Sequence, residues 1–228
     1  MTEEAGATKP YFEGQFLHVV ALLVLLAGLY ILRDLPGLLA GEFLDLSTLA
    51  WAALAVVNAI VHQIFVWFCW RVELHGKALS QWFGKRAFVL YSTLFAIMII
   101  IRPILAFMLG WSNRGTLNID PWLGYGLSLV LFLLTVYLVY SIVNFFSFSR
   151  AFGIDHFDSA FRQAPLIRLG IFRWSPNAMY VFGFAALWIP AFLFQSVTAL
   201  VIAIFSHLYI WVHYLATEKP DMARIYGK

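Results

Sequence analysis

The sequence predicts an all-α, polytopic transmembrane protein of about six spans that ends in a helical hairpin. Three observations carry this. Hydrophobic residues make up 62% of the 228 residues and charged residues only 12%, against about 45–50% and about 25% in soluble domains. The mean hydropathy is +0.83. The apolar residues lie in long runs free of charge, near the roughly 20 residues that cross a bilayer as a helix. A soluble fold of this size cannot hide 22 Phe, 10 Tyr and 9 Trp. The same composition excludes a disordered chain, a disulfide-rich scaffold and a nucleic-acid binder. Cys69 is the single cysteine, so no internal disulfide forms.

The spans follow in order. The first runs from Phe16 to Leu32 and is closed by Arg33, Asp34 and Pro36. Its leading stretch carries Glu3, Glu4 and Glu13 against Lys9, the wrong sign for a signal peptide, so it reads as a true span. The second is Ser47 to Trp70, ended by Arg71. The third is Ala87 to Ile101, reaching Leu109 if the helix passes Pro103. The fourth is Trp122 to Phe148, ended by Arg150. The fifth runs from about Asn177 to Phe194 and contains Pro190; the sixth is Val197 to Ala216. Only Gln195 and Ser196 separate the last two, which makes a tight hairpin. A short, kinked fifth segment survives in a bilayer only where its broken backbone is buried in protein or lines a cavity.

Lys and Arg set the orientation. One side holds Lys9, Arg71, Lys77, Lys85, Arg86, Arg150, Arg162, Arg168, Arg173, Lys219, Arg224 and Lys228; the other holds Arg33, Arg102 and Arg114. With six spans, both termini are expected in the cytoplasm.

Polar residues on this background mark where chemistry can sit. Ser149 to Pro176 mixes Asp155, His156, Asp158, Arg162, Gln163, Arg168 and Arg173 with Phe152, Phe157, Phe161, Ile167 and Ile171, which suits a helix lying in the cytoplasmic interface. Pro176 fits a helix start. The residues after it would present free N–H groups to an anion, and Gly183 admits close backbone approach. In the sixth span His207, Trp211, Tyr214 and Glu218 share one helical face, beside Ser206, Tyr209, His213 and Thr217. Such a polar row inside a membrane segment faces a cavity or a partner by default. His62, Trp67, Trp70, Arg71 and Glu73 form a second group, in which the tryptophans read as an interfacial belt, the charges as an ion pair and His62 as a weaker functional candidate. There is no Cys/His metal spacing, H-E-x-x-H, P-loop, dinucleotide fingerprint or G-x-S-x-G elbow, and no metal is expected.

Two motifs then carry a family resemblance. The first is Ser175-Pro176-Asn177-Ala178-Met179-Tyr180-Val181-Phe182-Gly183. The second, one hairpin later, is Thr217-Glu218-Lys219-Pro220-Asp221-Met222-Ala223-Arg224-Ile225-Tyr226-Gly227. Together, over roughly 150–228, they resemble the integral-membrane methyltransferases that include phosphatidylethanolamine N-methyltransferase and isoprenylcysteine carboxyl methyltransferase, the phospholipid branch more closely. The usual Pro of the first motif is Ala178, with Pro176 upstream, and the usual second acid is Lys219.

The resemblance implies that the final hairpin and its flanks bind S-adenosylmethionine. Residues 1–149 would supply N-terminal transmembrane helices, and 150–228 the cofactor-binding interfacial segment, hairpin and tail, within one membrane domain. The cofactor carboxylate would suit the N–H groups around Asn177 and Met179, with Gly183 close by, or Arg173. Its ammonium would suit Glu218, and its sulfonium the faces of Tyr180, Trp211 or Tyr214. His213 and Glu218 are the candidate bases. The expected acceptor is the amine of a membrane phospholipid such as phosphatidylethanolamine. The alternatives are a small hydrophobic thiol, amine or carboxylate, a sterol-reductase-like oxidoreductase binding a nicotinamide cofactor, and a non-enzymatic membrane protein.

Overall fold

The structure is a computed structural model that describes residues 9–163, 165 and 167–227. Glu3, Glu4 and Lys228, used above in the signal-peptide and orientation arguments, lie outside them. A one-turn helix α1 (Lys9–Phe12) leads into α2 (Gln15–Leu32). Then come α3 (Thr48–Gly76), α4 (Ala78–Phe83), α5 (Ala87–Ser112), α6 (Pro121–Ser141) and α7 (Phe148–Ala151), followed by α8 (Ile189–Leu193), α9 (Val197–His213) and α10 (Lys219–Tyr226). The described strands are the two-residue pair Glu42–Phe43 and Leu46–Ser47.

Among the described residues, five continuous helical runs are long and apolar enough to cross a membrane: Pro10–Leu32, Thr48–Gly76, Ala78–Ser112, Pro121–Phe146 and Val197–Tyr226. The chain is therefore an all-α, multi-pass integral membrane protein. Leu23, Val24, Val130 and Leu133 are all more than half exposed, an arrangement stable only where lipid is the solvent.

Local chemistry explains the boundaries. The Ser47 hydroxyl accepts the Ala50 N–H at 3.3 Å to start α3, and Lys77 closes it in the left-handed region at φ 54°. Asp120 caps α6 through the Leu123 N–H at 3.0 Å, with Pro121 opening the first turn. Ser196 caps α9 through the Ala199 N–H at 3.1 Å. α5 runs through Pro103 without breaking and ends at Ser112, beyond the expected Leu109.

The fifth crossing is built of pieces. A π-turn over Met179–Gly183 and a 3₁₀ turn over Phe184–Leu187 precede α8. The tip that follows, Gln195 at φ 52° and Ser196, reaches the loops that cap the other helices. Gly115 N–H donates to Phe194 O at 2.9 Å and Leu117 N–H to Gln195 O at 2.7 Å. Asn113 ties the layer together: its amide donates to Gly37 O and Ala40 O, both at 2.8 Å, and its oxygen accepts from Ser196 Oγ and Thr198 N–H, both at 3.0 Å. The broken backbone is shielded as expected, with Phe184, Ala185, Leu187, Ile189, Pro190 and Ala191 buried. Gly110 and Gly124 admit it: a Cβ would lie 2.9 Å from Pro190 Cβ at Gly110 and 2.7 Å from Phe192 O at Gly124.

Two readings need correction. Ser149 to Pro176 is no single interfacial helix; it breaks into α7 and the short turns Ile154–His156, Ser159–Gln163 and Gly170–Arg173, because Gly153 and Gly170 take φ of 79° and 57°, outside any helix. Arg102 belongs to no loop. It is buried within α5, which removes it from the charge count on its side.

Candidate functional site

A cavity of about 420 Å³ lies between α3, α5, α6, α9 and the broken fifth crossing, within the size range of small-ligand sites. α3 contributes His62, Gln63, Val66 and Trp70, a face about 12 Å long at helical rise. α5 contributes Phe95, Ile99, Ile100, Arg102 and Pro103, and α6 Thr135, Leu138, Val139 and Ile142. Phe148 and Phe152, Met179, Tyr180, Gly183 and Phe184, and Ile210 and His213 complete much of the wall. α3 packs along α5 and α6 along α8, whereas α5 and α6 scarcely meet. Ile100, Val139 and Phe148 line the cavity and are 59%, 47% and 49% exposed. They form a mouth that opens sideways toward lipid.

Behind Trp70 lies a buried ionic cluster. Arg71 Nε is 3.0 Å from Asp221 Oδ1, and its Nη1 is 3.8 Å from Glu13. The guanidinium also donates to the carbonyls of Pro10, Glu13 and Thr217. His156 sits between two acids, 3.3 Å from Asp155 and 3.5 Å from Asp221, and stacks on Trp70 with ring centroids 4.2 Å apart. Tyr226 donates to Asp155 at 2.8 Å, and Arg224 pairs with Glu13. Burial alone would lower the His156 pKa, but the carboxylates of Asp155 and Asp221 outweigh it and raise it above the ordinary 6.5. Burial likewise pushes Asp155 up, and its contacts with His156 and Tyr226 prevail to hold it below 3.8. The cluster fastens α10 and the 154–158 turn to the end of α3.

The expected site residues divide into three groups. His213, Met179, Tyr180 and Gly183 line the cavity. Tyr180, Trp211 and Tyr214 meet as three rings, with centroids 5.9, 5.4 and 5.6 Å apart pairwise. Glu218 lies one turn beyond Tyr214, outside the cavity wall; its Oε2 is buried with no hydrogen-bond partner among the described residues. Arg173 is exposed and Asn177 half-buried, neither on the wall. The N–H groups of Tyr180 and Val181 both bond Asn177 O, at 3.0 and 3.1 Å, so they are not free for an anion. His207 accepts from Trp188 Nε1 at 3.1 Å, a packing contact rather than part of a polar row into the cavity.

Other residues stand out only in three dimensions. Trp70 is no belt residue, since it is buried between the cavity and His156. Arg71 pairs with Asp221 rather than Glu73, which instead accepts from the Ser80 N–H at 2.9 Å. Arg102 and Gln63 join His62, the weaker candidate of the sequence, on the cavity wall; neither lies in a sequence motif. Among the described residues no group of three or more His, Cys, Asp or Glu could hold a metal ion.

The site is thus an apolar cavity in a membrane protein, edged by a few buried polar groups, with an ionic cluster behind Trp70. Residues 123–228 match the family described as phospholipid methyltransferase; the match begins at α6, one span earlier than the motifs alone indicate. The chain is also 30% identical over 116 residues to a phosphatidylethanolamine N-methyltransferase of Meyerozyma guilliermondii, a match covering 47% of this chain and 13% of that protein. The chain thus spans a small fraction of that relative's length. No solved structure matches.

Proposed function

We propose that the protein transfers a methyl group from S-adenosylmethionine to the amine of a membrane phospholipid such as phosphatidylethanolamine. The observation that carries this reading is that Met179, Tyr180, Gly183 and His213, all inside the family-matched region, wall a cavity whose mouth opens to lipid between α5 and α6. The three rings of Tyr180, Trp211 and Tyr214 suit a sulfonium, and the free carboxylate oxygen of Glu218, one turn away, suits an ammonium. The cofactor, when bound, supplies the methyl on its sulfonium.

The chain's own residues do the rest. The cavity wall aligns the acceptor and excludes water. An amine attacks only through its lone pair, so its proton must leave first. His213 lines the cavity, and both its ring nitrogens are buried without a partner among the described residues; in its neutral form one of them accepts a proton. Glu218 lies off the wall, which supports a contact with the cofactor over the role of base. Both termini and the cofactor end face the cytoplasm in this reading, on the strength of the Lys and Arg bias.

Calorimetry on the detergent-solubilised protein tests it. Binding of S-adenosylmethionine without binding of NADPH is the expected result. The reverse would identify a reductase, and binding of neither would remove the enzymatic reading.

A further inference from the structure

We infer that the deep end of the cavity is an oxyanion site, in which Arg102 with Gln63 and His62 holds the phosphate or carboxylate of the amphiphile that occupies it. A guanidinium inside a membrane bundle is costly and faces a partner or a functional cavity. Arg102 is 6% exposed. Its Nη2 donates to Ala59 O at 3.1 Å and its guanidinium lies 5.3 Å from the Phe184 ring centroid. Its Nε and Nη1 have no partner among the described residues, and no carboxylate of those residues pairs with it.

The neighbours repeat the pattern. His62 and Gln63, one turn along α3 from Ala59, are 3% and 2% exposed. Among the described residues both His62 ring nitrogens and Gln63 Nε2 lack partners, and His62, Gln63 and Arg102 all line the cavity. One guanidinium, one amide and one imidazole line one cavity from two helices with no acid among its described lining residues, and donors of this kind recognise an oxyanion. Asp155 and Asp221 gather instead with His156 behind Trp70, at the other end of the α3 face. The cavity lining itself carries Arg102, Gln63, His62 and His213 and, among the described residues, no Asp or Glu. His62, Arg102 and His213 all line this cavity, so a bound oxyanion and the candidate base would share it. An apolar chain attached to that oxyanion would leave through the mouth at Ile100 and Val139.

The inference rests on the reading that this cavity holds the acceptor, and it adds that the acceptor is an anion or a zwitterion. The test measures binding of three amphiphiles with the same chain to the full-length protein in detergent: oleoyl lysophosphatidic acid, oleic acid and oleylamine. Wild type should bind one or both oxyanions at least about tenfold tighter than the amine, and Arg102→Gln should erase that preference while Arg102→Lys keeps most of it. A stronger phosphate arm assigns the site to a lipid phosphate; a stronger carboxylate arm assigns it to an acid. Equal binding of all three by wild type overturns the inference, and so does a folded Arg102→Gln protein with the oxyanion preference intact. If Arg102→Gln fails to fold, the wild-type ranking still decides. Calorimetry with S-adenosylmethionine on the same samples separates the two claims. Oxyanion preference without cofactor binding would sink the methyltransferase reading alone, and cofactor binding without the preference would sink the oxyanion site alone.

Discussion

Arg71 at the end of α3 and Asp221 in α10 form an ion pair, 3.0 Å from Nε to Oδ1, with side chains 1% and 0% exposed. This contact joins the N-terminal spans to the C-terminal helix beside the site. A buried charge that loses its partner is strongly destabilising, by about 3–5 kcal/mol. Asp221→Ala should lose near the lower figure, because Arg71 keeps Glu13 and three carbonyls. Arg71→Met combined with Asp221→Leu should lose less than the two single losses summed, which unfolding in a denaturing detergent series measures. Full additivity would show that the pair is not coupled.

His156 makes the same cluster sensitive to pH. Its pKa is raised above the ordinary 6.5 by Asp155 and Asp221 against the effect of burial. The group therefore contributes stability that is full below 6.5 and disappears as pH rises through the folded value. Asp155 has the opposite sign: its folded pKa lies below 3.8, so its contribution is present above that value and is lost only as pH falls through the folded one. Between about pH 6 and pH 9 the wild type should lose stability relative to His156→Gln. A difference between the two that stays flat over this range would contradict the placement of His156 between Asp155 and Asp221.

Gly153 is held at φ 79°, and a Cβ there would sit 2.6 Å from the Trp70 ring. Gly153→Ala should therefore push Trp70 off His156 and into the cavity, with an overpacking loss of about 1–3 kcal/mol. The tryptophan emission spectrum and the melting temperature report it. An unchanged melting temperature would mean that the turn relaxes without moving the ring.

Glu218→Ala should weaken S-adenosylmethionine binding by about tenfold, or about 1.4 kcal/mol, the scale of one charge-assisted hydrogen bond. Calorimetry measures it. Full affinity in a folded Glu218→Ala protein would take this carboxylate out of the site.

The spans were legible because hydropathy and length act locally. The five long runs lie where the apolar stretches do, and the Gln195–Ser196 tip is the expected hairpin turn. The His213, Tyr180, Trp211 and Tyr214 neighbourhood was legible because helical spacing on α9 and a motif on the preceding segment point at one another. The interfacial stretch was not: its mixed composition resembles an amphipathic helix, while its path is set by glycines that fit against Trp70 and Ser141. Asp221, His156 and Arg71 each carry an ordinary local signal, an acid in a tail, a histidine in a loop and an arginine at a span end. Their meaning comes from contacts across 65 to 150 positions of the chain. Arg102 reads as a boundary charge, because no local pattern shows that α5 continues past it through Pro103.

The most direct measurement supplies S-adenosylmethionine carrying a radiolabelled methyl group to the protein in phosphatidylethanolamine liposomes and counts the lipid fraction. Label should enter the phospholipid with wild type and fall at least about a hundredfold with His213→Ala, the scale of losing a general base, while calorimetry shows cofactor affinity nearly kept. If label never enters the lipid and appears instead in an added small thiol or amine, or if no transfer occurs although the cofactor binds, the phospholipid amine is not the acceptor and the account fails at its centre.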